Sequence, residues 1–286
     1  MKSNRLQYPI TLMARVLNVA RSGYYAWCER TPTARQIRDS DLRPLIREAH
    51  TLSRQTYGSI RIKHELTSRG QYVGRDHITR LRKEMGLRCI QMKKFKATTN
   101  SKHGLPVSPN LVDQKFEIST PGMLWGTDIT YIATDEGWLY LAGVKDFGSR
   151  EIVGYSMGPR MTTDLVREAL SNAIRFRKPL PGCIHHSDRG SQYCAHDYRR
   201  DIATAGLLSS MSRKGNCFDN APTESFWGCL KQEMVYHRRF TTRDEAKAAI
   251  REYIEIFYNR VRRHSKIGYL APSIYAESFY FQRRFG

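Results

Sequence analysis

Three acidic residues sit at an element boundary or in a strand that would otherwise prefer an apolar residue. Asp128 interrupts the run Trp125-Gly126-Thr127-Asp128-Ile129-Thr130, Asp188 follows His185-His186-Ser187, and Glu224 lies in Ala221-Pro222-Thr223-Glu224-Ser225-Phe226. Pro222 can start a helix, which would put Glu224 in its first turn. A buried carboxylate without a partner is costly, and a metal ion is the partner that suits several carboxylates at once. Mg²⁺ prefers hard oxygen ligands. Two such ions, about 3.5–4 Å apart, serve phosphoryl transfer: one activates water or a 3′-hydroxyl, the other stabilises the departing 3′-oxygen. Asp128, Asp188 and Glu224 are thus the candidate catalytic and metal-binding residues, for two Mg²⁺ ions with Mn²⁺ as a substitute. Singly, none is specific, since an acid in a strand is more often a hydrogen-bonded structural group. Their spacing supplies the specificity.

The elements that must position them begin at Trp125. Residues 125–133, 137–146 and 152–157 read as three successive strands, and 162–177 as an amphipathic helix with Leu165, Ala169, Leu170 and Ile174 inward. Further expected elements are a short strand at 183–186, a helix at 198–205, a strand at 207–211, a helix at 221–235 and a last amphipathic helix at 243–258. Three strands followed by alternating helix and strand predict an α/β class, a mixed sheet flanked by helices.

The chain of 286 residues carries 47 Lys and Arg against 27 Asp and Glu, a net charge of +20. Such a field attracts polyanions. The charge is uneven: residues 1–118 hold 23 basic and 9 acidic groups, residues 119–286 hold 24 and 18. A basic front half points to a DNA-binding module. Residues 9–29 read as helix, turn at Val19–Gly23, helix, with Ile10, Met13, Val16 and Leu17 on one face, a helix-turn-helix candidate. Residues 41–87 read as a second helical unit: Leu42, Leu45, Ile46 and Ala49, then Ile60, Ile62 and Leu66, then Ile78, Leu81 and Met85 face its core. Arg75, Arg80, Arg82 and Lys83 can then face outward as a basic surface, and with His77 they are candidate DNA contacts. Lys93, Lys94 and Lys96 in the following linker, and Arg213 and Lys214 ahead of the third acid, are further candidate DNA contacts. The expected division is a helix-turn-helix segment at 1–35, a second helical DNA-binding domain at 36–90, a basic linker at 91–118, a catalytic core at 119–240, and a C-terminal helix and basic tail at 241–286. Six cysteines without a Cys-x-x-Cys pair argue against a structural zinc site and fit a reducing compartment. No apolar run approaches the roughly 18 residues that span a membrane, and the N-terminus has no apolar signal core. The expected location is the cytoplasm.

Thirty-five residues separate Asp188 from Glu224. That spacing resembles the DD35E pattern of retroviral integrases and insertion-sequence transposases. The segments WGTDITYI, HHSDRGSQY, GNCFDNAPTESFWGCLKQE and NRVRRHSKIGYLAPSIY resemble the OrfB product of the third insertion-sequence family, over about residues 10–280. The resemblance implies an RNase H-like catalytic fold in the core, Asp128, Asp188 and Glu224 as its metal-binding triad, and Lys231 as a DNA contact near the active site. Asp219 and Asn220 match the motif around the third acid and could cap or brace that helix. The implied reaction is cleavage and joining of DNA at insertion-element ends, through a circular intermediate without a covalent protein–DNA bond. The implied partners are double-stranded DNA with terminal inverted repeats, further copies of the chain, and an upstream-frame OrfA product, which in the family supplies a helix-turn-helix and a leucine zipper. The chain has no sustained heptad segment and so resembles the downstream half.

Three other readings stay open on the residues. Arg262, Arg263, His264 and Tyr269 invite a tyrosine recombinase, although one short tail is the wrong place for groups that must surround a phosphate. The helical units alone would serve a non-catalytic DNA-binding regulator. A ribonuclease H fits the fold class, since function resides in the site and not in the fold, but the basic N-terminal third argues against it.

Overall fold

A computed structural model describes residues 1–90, 107–114, 116–213 and 220–285. The chain opens with two short helices, α1 (Ile10–Val16) and α2 (Arg21–Glu29). The expected turn at 19–23 is shorter, because Arg21, Ser22 and Gly23 already form the first turn of α2. The expected apolar face is not buried. Ala14 is the one buried residue of the pair, while Leu12, Val16, Leu17, Tyr25 and Trp27 are exposed. Helices of 7 and 9 residues are too short to build a core between themselves.

Helices α3 (Ala34–Leu52), α4 (Ser59–Ser68) and α5 (Arg75–Glu84) form a compact unit. Thr33 and Gln36 close a capping box at the start of α3. Leu42, Ile46, Ala49, Tyr57, Ile62, Leu66, Val73, Ile78 and Leu81 make its core, with Leu45 and Met85 packed against them. Ile60, expected inside, is exposed, because Ile62 and Leu66 of α4 already fill the contact.

The larger unit is a five-stranded sheet in the order β3-β2-β1-β4-β5. Strands β1 (Leu124–Thr134), β2 (Gly137–Asp146) and β3 (Ile152–Gly158) form an antiparallel meander. Strands β4 (Ile184–Ser187) and β5 (Leu208–Met211) run parallel to β1. Parallel pairing needs crossovers, and α6 (Thr163–Arg177), α7 (Ser191–Cys194) and α8 (His196–Thr204) supply them. Period-two alternation splits the strands between two cores. Trp125, Ala142 and Val144 pack with Leu165, Ala169 and Leu170 of α6. Ile132, Leu139 and Leu141 pack with Phe226, Trp227 and Leu230 of α9 (Ala221–Glu233) and Ile250 of α10 (Arg243–Glu252). The expected helix over 243–258 is α10, continued by a π-helical stretch over Tyr253–Tyr258. A further helix, α11 (Pro272–Phe285), was not foreseen.

The segment 259–265 is not a free basic tail. Arg262 is buried and grips Glu233 of α9 through Nε and Nη2, at 2.9 and 2.7 Å. Arg263 donates to Glu65 of α4 at 2.8 Å, and its backbone amide donates to the Tyr57 hydroxyl at 2.6 Å. Tyr269 stacks on His64 with ring centroids 3.8 Å apart. Arg54 pairs with Glu252 across the same junction. These contacts hold the helical unit against the C-terminal segment. The Arg263 amide therefore reports on docking: Glu65→Arg sets two guanidinium groups against each other, and that amide should exchange with solvent roughly tenfold faster while amides paired between β1 and β2 hold. Unchanged exchange would show that the ion pair does not secure the junction.

Candidate active site

Strand β4 pairs with β1 only over Leu124–Gly126, and then the two strands part. Asp128 lies on β1 two residues beyond the last pair, and Asp188 directly follows β4. Two carboxylates thus meet at a crevice beyond the carboxyl ends of parallel strands, the usual position for a site in such sheets.

The third acid arrives on α9, which is seated against β1 without clearance. A Cβ on Gly126 would lie 2.4 Å from the Phe147 ring and 2.6 Å from Thr223 Oγ1. Asn220 Nδ2 donates to Thr127 O at 3.0 Å. Asn220 makes no side-chain cap, so of the two expected roles the structure shows a brace to β1; Asp219 lies outside the described residues. Lys145, buried on β2, donates to Pro222 O at 2.8 Å and holds the same helix start. Burial pulls the Lys145 ammonium down to about 7. Trp227 lies over Gly143, where a Cβ would come within 2.8 Å of the indole, and donates Nε1–H to Asp128 Oδ2 at 3.0 Å. Neither Lys145 nor Trp227 was anticipated. Trp227 could have been, since it follows Glu224 by three residues on a helix and so shares its face.

Asp128 Oδ1 accepts the Ile129 amide at 2.8 Å, so both of its recorded hydrogen-bond donors are neutral. Burial first, and then the charge of Asp188, push its carboxyl up to about 8. Asp188 Oδ1 accepts the Gly190 amide at 2.9 Å. Glu224 is exposed on α9, and its carboxyl is raised by partial burial and by Asp188. The charge of Asp188 and, less strongly, that of Glu224 thus oppose ionisation of the Asp128 carboxyl, a state that a nearby cation relieves. Their hard oxygen donors suit a divalent ion, although among the described residues no three acidic, His or Cys groups stand close enough together to hold one. Neighbouring His185 and His186 are structural. Tyr198 bonds His185 at 3.0 Å, Ser210 and Ser212 bond His186 at 2.9 and 3.2 Å, and burial takes His185 down to about 3.

The candidate DNA contacts divide. Arg75 and Lys83 are exposed, with Arg75 on Asp76. His77 and Arg80 are half-buried and paired: Asp39 of α3 holds both, Arg80 at 2.7 Å, and Glu84 takes the other Arg80 amine at 2.6 Å. Arg80 and then His77 lower the Asp39 carboxyl to about 2. Arg82 turns toward Ser59 and Cys89, at 3.2 Å from each. These side chains brace three helices, because a ten-residue helix packed on two neighbours leaves only part of its circumference to solvent. Arg213 pairs with Asp113 at 3.4 Å. Lys231 lies two turns beyond Glu224, with Nζ 5.0 Å from the centre of the Tyr131 ring. Lys93, Lys94, Lys96 and Lys214 lie outside the described residues. Arg262 and Tyr269, used up in packing, are not arranged around a phosphate.

A mixed five-stranded sheet with two acids where β1 and β4 part fits one class, an integrase core of the polynucleotidyl transferases. Family models described as "Integrase core domain" match residues 119–217 and 224–278, and one described as "HTH-like domain" matches 36–95. The chain is 55% identical to an "Insertion element IS600 uncharacterized 31 kDa protein" of Shigella sonnei, over 94% of this chain and 98% of that one. It is 42% identical to "Transposase InsF for insertion sequence IS3A" of Escherichia coli (strain K12), over 95% of each. The catalytic core domain of BIV integrase aligns at 19% identity, covering 57% of this chain and 99% of that one, with a TM-score of 0.43. The chain belongs to the IS3 family of insertion-sequence transposases. No helix among the described residues is long and apolar enough to cross a membrane.

Proposed function

We propose that Asp128, Asp188 and Glu224 are the catalytic carboxylates with which this transposase cuts and joins DNA strands at the ends of its insertion element. The observation that carries this is that Asp128 and Asp188 line one cleft where β1 and β4 diverge, with Glu224 carried on α9, the helix that packs on β1. Two divalent ions, Mg²⁺ or Mn²⁺, would supply charge neutralisation at the attacking and leaving oxygens. The chain's own groups do the rest. Trp227 and the Ile129 amide orient Asp128, the Gly190 amide orients Asp188, and Asn220 and Lys145 anchor the helix that carries Glu224.

The proposed division of labour follows the chain: 36–90 and the N-terminal hairpin read double-stranded DNA bearing terminal inverted repeats, while 119–240 performs the chemistry. Arg75, Lys83 and Lys231 are exposed or lie beside the acids, and they remain the described candidates for phosphate contact. The working form is taken to be an oligomer on DNA in the cytoplasm, with an OrfA-type product as partner.

Chelation tests the metal. EDTA should abolish strand transfer on a duplex carrying the element's end, and Mg²⁺ or Mn²⁺ should restore it. The acids should also bind Mn²⁺ in the DNA-free protein, read by paramagnetic broadening, and Asp188→Asn should weaken that binding. Full activity in EDTA would overturn the assignment.

A further inference from the structure

Beyond Gly126, β1 has no strand pairing on its β4 side among the described residues. The cleft that opens there, of about 610 Å³, is lined by Asp128 and Asp188 and, farther along the β1–β2 hairpin or across the cleft, by Tyr131, Trp138 and Met161. Tyr131 pairs across the strands with Tyr140, and Trp138 with Ala133, so the two rings share one sheet face. They meet edge-to-face at 4.9 Å and 82°. Both leave much of their surface to solvent, 39% for Tyr131 and 50% for Trp138. Lys231 sets a cation over the Tyr131 ring.

A Trp and a Tyr rigidly paired yet open to water, against a pair of acids and under a lysine, present flat π-faces and a phosphate-seeking charge together. That combination fits a nucleotide whose base is unstacked. Inside a duplex both faces of a base are already covered, so only an unpaired base can use the wall. Tyr131 and Trp138 line the same cleft as Asp128 and Asp188, three and five residues farther along the hairpin, so such a base would lie near the phosphate being cut.

We propose that Tyr131 and Trp138 form a stacking platform for an unpaired nucleobase near the scissile phosphate, with Lys231 on an intervening phosphate, so that the end of the element is opened by one or more base pairs before it is cut. The platform reads a π-face and tolerates any base. The assignment rests on the reading of Asp128 and Asp188 as the catalytic acids.

The test compares two versions of a duplex carrying the element's own end, one fully paired and one mismatched at the base pairs flanking the cleavage position. Binding of the full chain is measured by fluorescence anisotropy without divalent metal. The parent should prefer the mismatched end, and Trp138→Ala and Tyr131→Ala should each weaken binding to it by about tenfold, within the range expected for one base–aromatic stack. Binding to a duplex of equal length lacking the end should change less than twofold. Trp138→Phe should keep most of the preference. Equal effects on end and interior duplex, or none, would overturn the proposal. So would a fall in the sedimentation mass of the DNA-free Trp138→Ala protein, since the wall would then be a contact between copies. Cleavage by Asp188→Asn at the parent's rate would instead overturn the carboxylate reading, and the metal-free binding arm does not depend on it.

Discussion

Glu224→Gln is expected to abolish strand cleavage and joining, by on the order of a thousandfold or more, while DNA binding stays within about twofold of the parent. The substitution removes one anionic oxygen donor and almost no volume. Metal-assisted stabilisation of a phosphoryl-transfer transition state is worth several kcal/mol, and each ~1.4 kcal/mol is a factor of ten in rate. Glu224 is exposed on the first turn of α9, and among the described residues no hydrogen bond or ion pair depends on it. Surface changes of that kind usually alter stability by less than about 0.5 kcal/mol. Loss of one negative charge beside Asp188 lowers repulsion toward DNA, so binding is expected to hold or tighten slightly. Strand-transfer assays on end duplexes, paired with gel-shift binding, separate the two effects. Activity within tenfold of the parent at saturating Mg²⁺ would sink the role given to Glu224.

The largest effect on stability is expected from Arg262→Met. Arg262 is buried, and Glu233, on the last turn of α9, also accepts the Tyr253 hydroxyl at 2.7 Å. Breaking a buried pair by removing one partner leaves a charge without compensation and costs about 3–5 kcal/mol. A chain of this size loses roughly 2–4 °C in melting temperature per kcal/mol, so a fall of the order of 10 °C is expected. Removing the second charge as well, in Arg262→Met with Glu233→Gln, should recover part of it, because the stranded carboxylate is the main cost. Thermal unfolding followed by circular dichroism decides: a single variant that melts within about 2 °C of the parent would contradict the clamp. Because Glu233 shares a helix with Glu224, this clamp also ties the C-terminal segment to the helix that presents the third acid.

Much of the catalytic unit was legible in the residues alone. Apolar runs over 137–146 and 152–157 define strands whose ends match the observed ones within a residue, since a short, nearly continuous apolar run suits a strand covered on both faces. Asp128, Asp188 and Glu224 stood out because each occupies a position that would otherwise favour an apolar residue or a helix start. The sheet order was not readable, because strand pairing is settled by contacts distant in sequence. Nor was α11, whose apolar residues are partly exposed.

The basic residues show the limit most clearly. Sequence determines how many charges the chain carries and on which segments, and that alone indicates a polyanionic partner. It does not determine which charges remain for that partner. Asp39 takes His77 and Arg80, Glu233 takes Arg262, and Glu65 takes Arg263, each from a helix or loop far along the chain. A guanidinium binds whichever carboxylate folding brings within reach, and the strength of that bond grows as water is excluded. Composition and local spacing therefore specified the elements and the chemistry available, while tertiary structure decided which acids line one cleft and which arginines pair with acids distant in sequence.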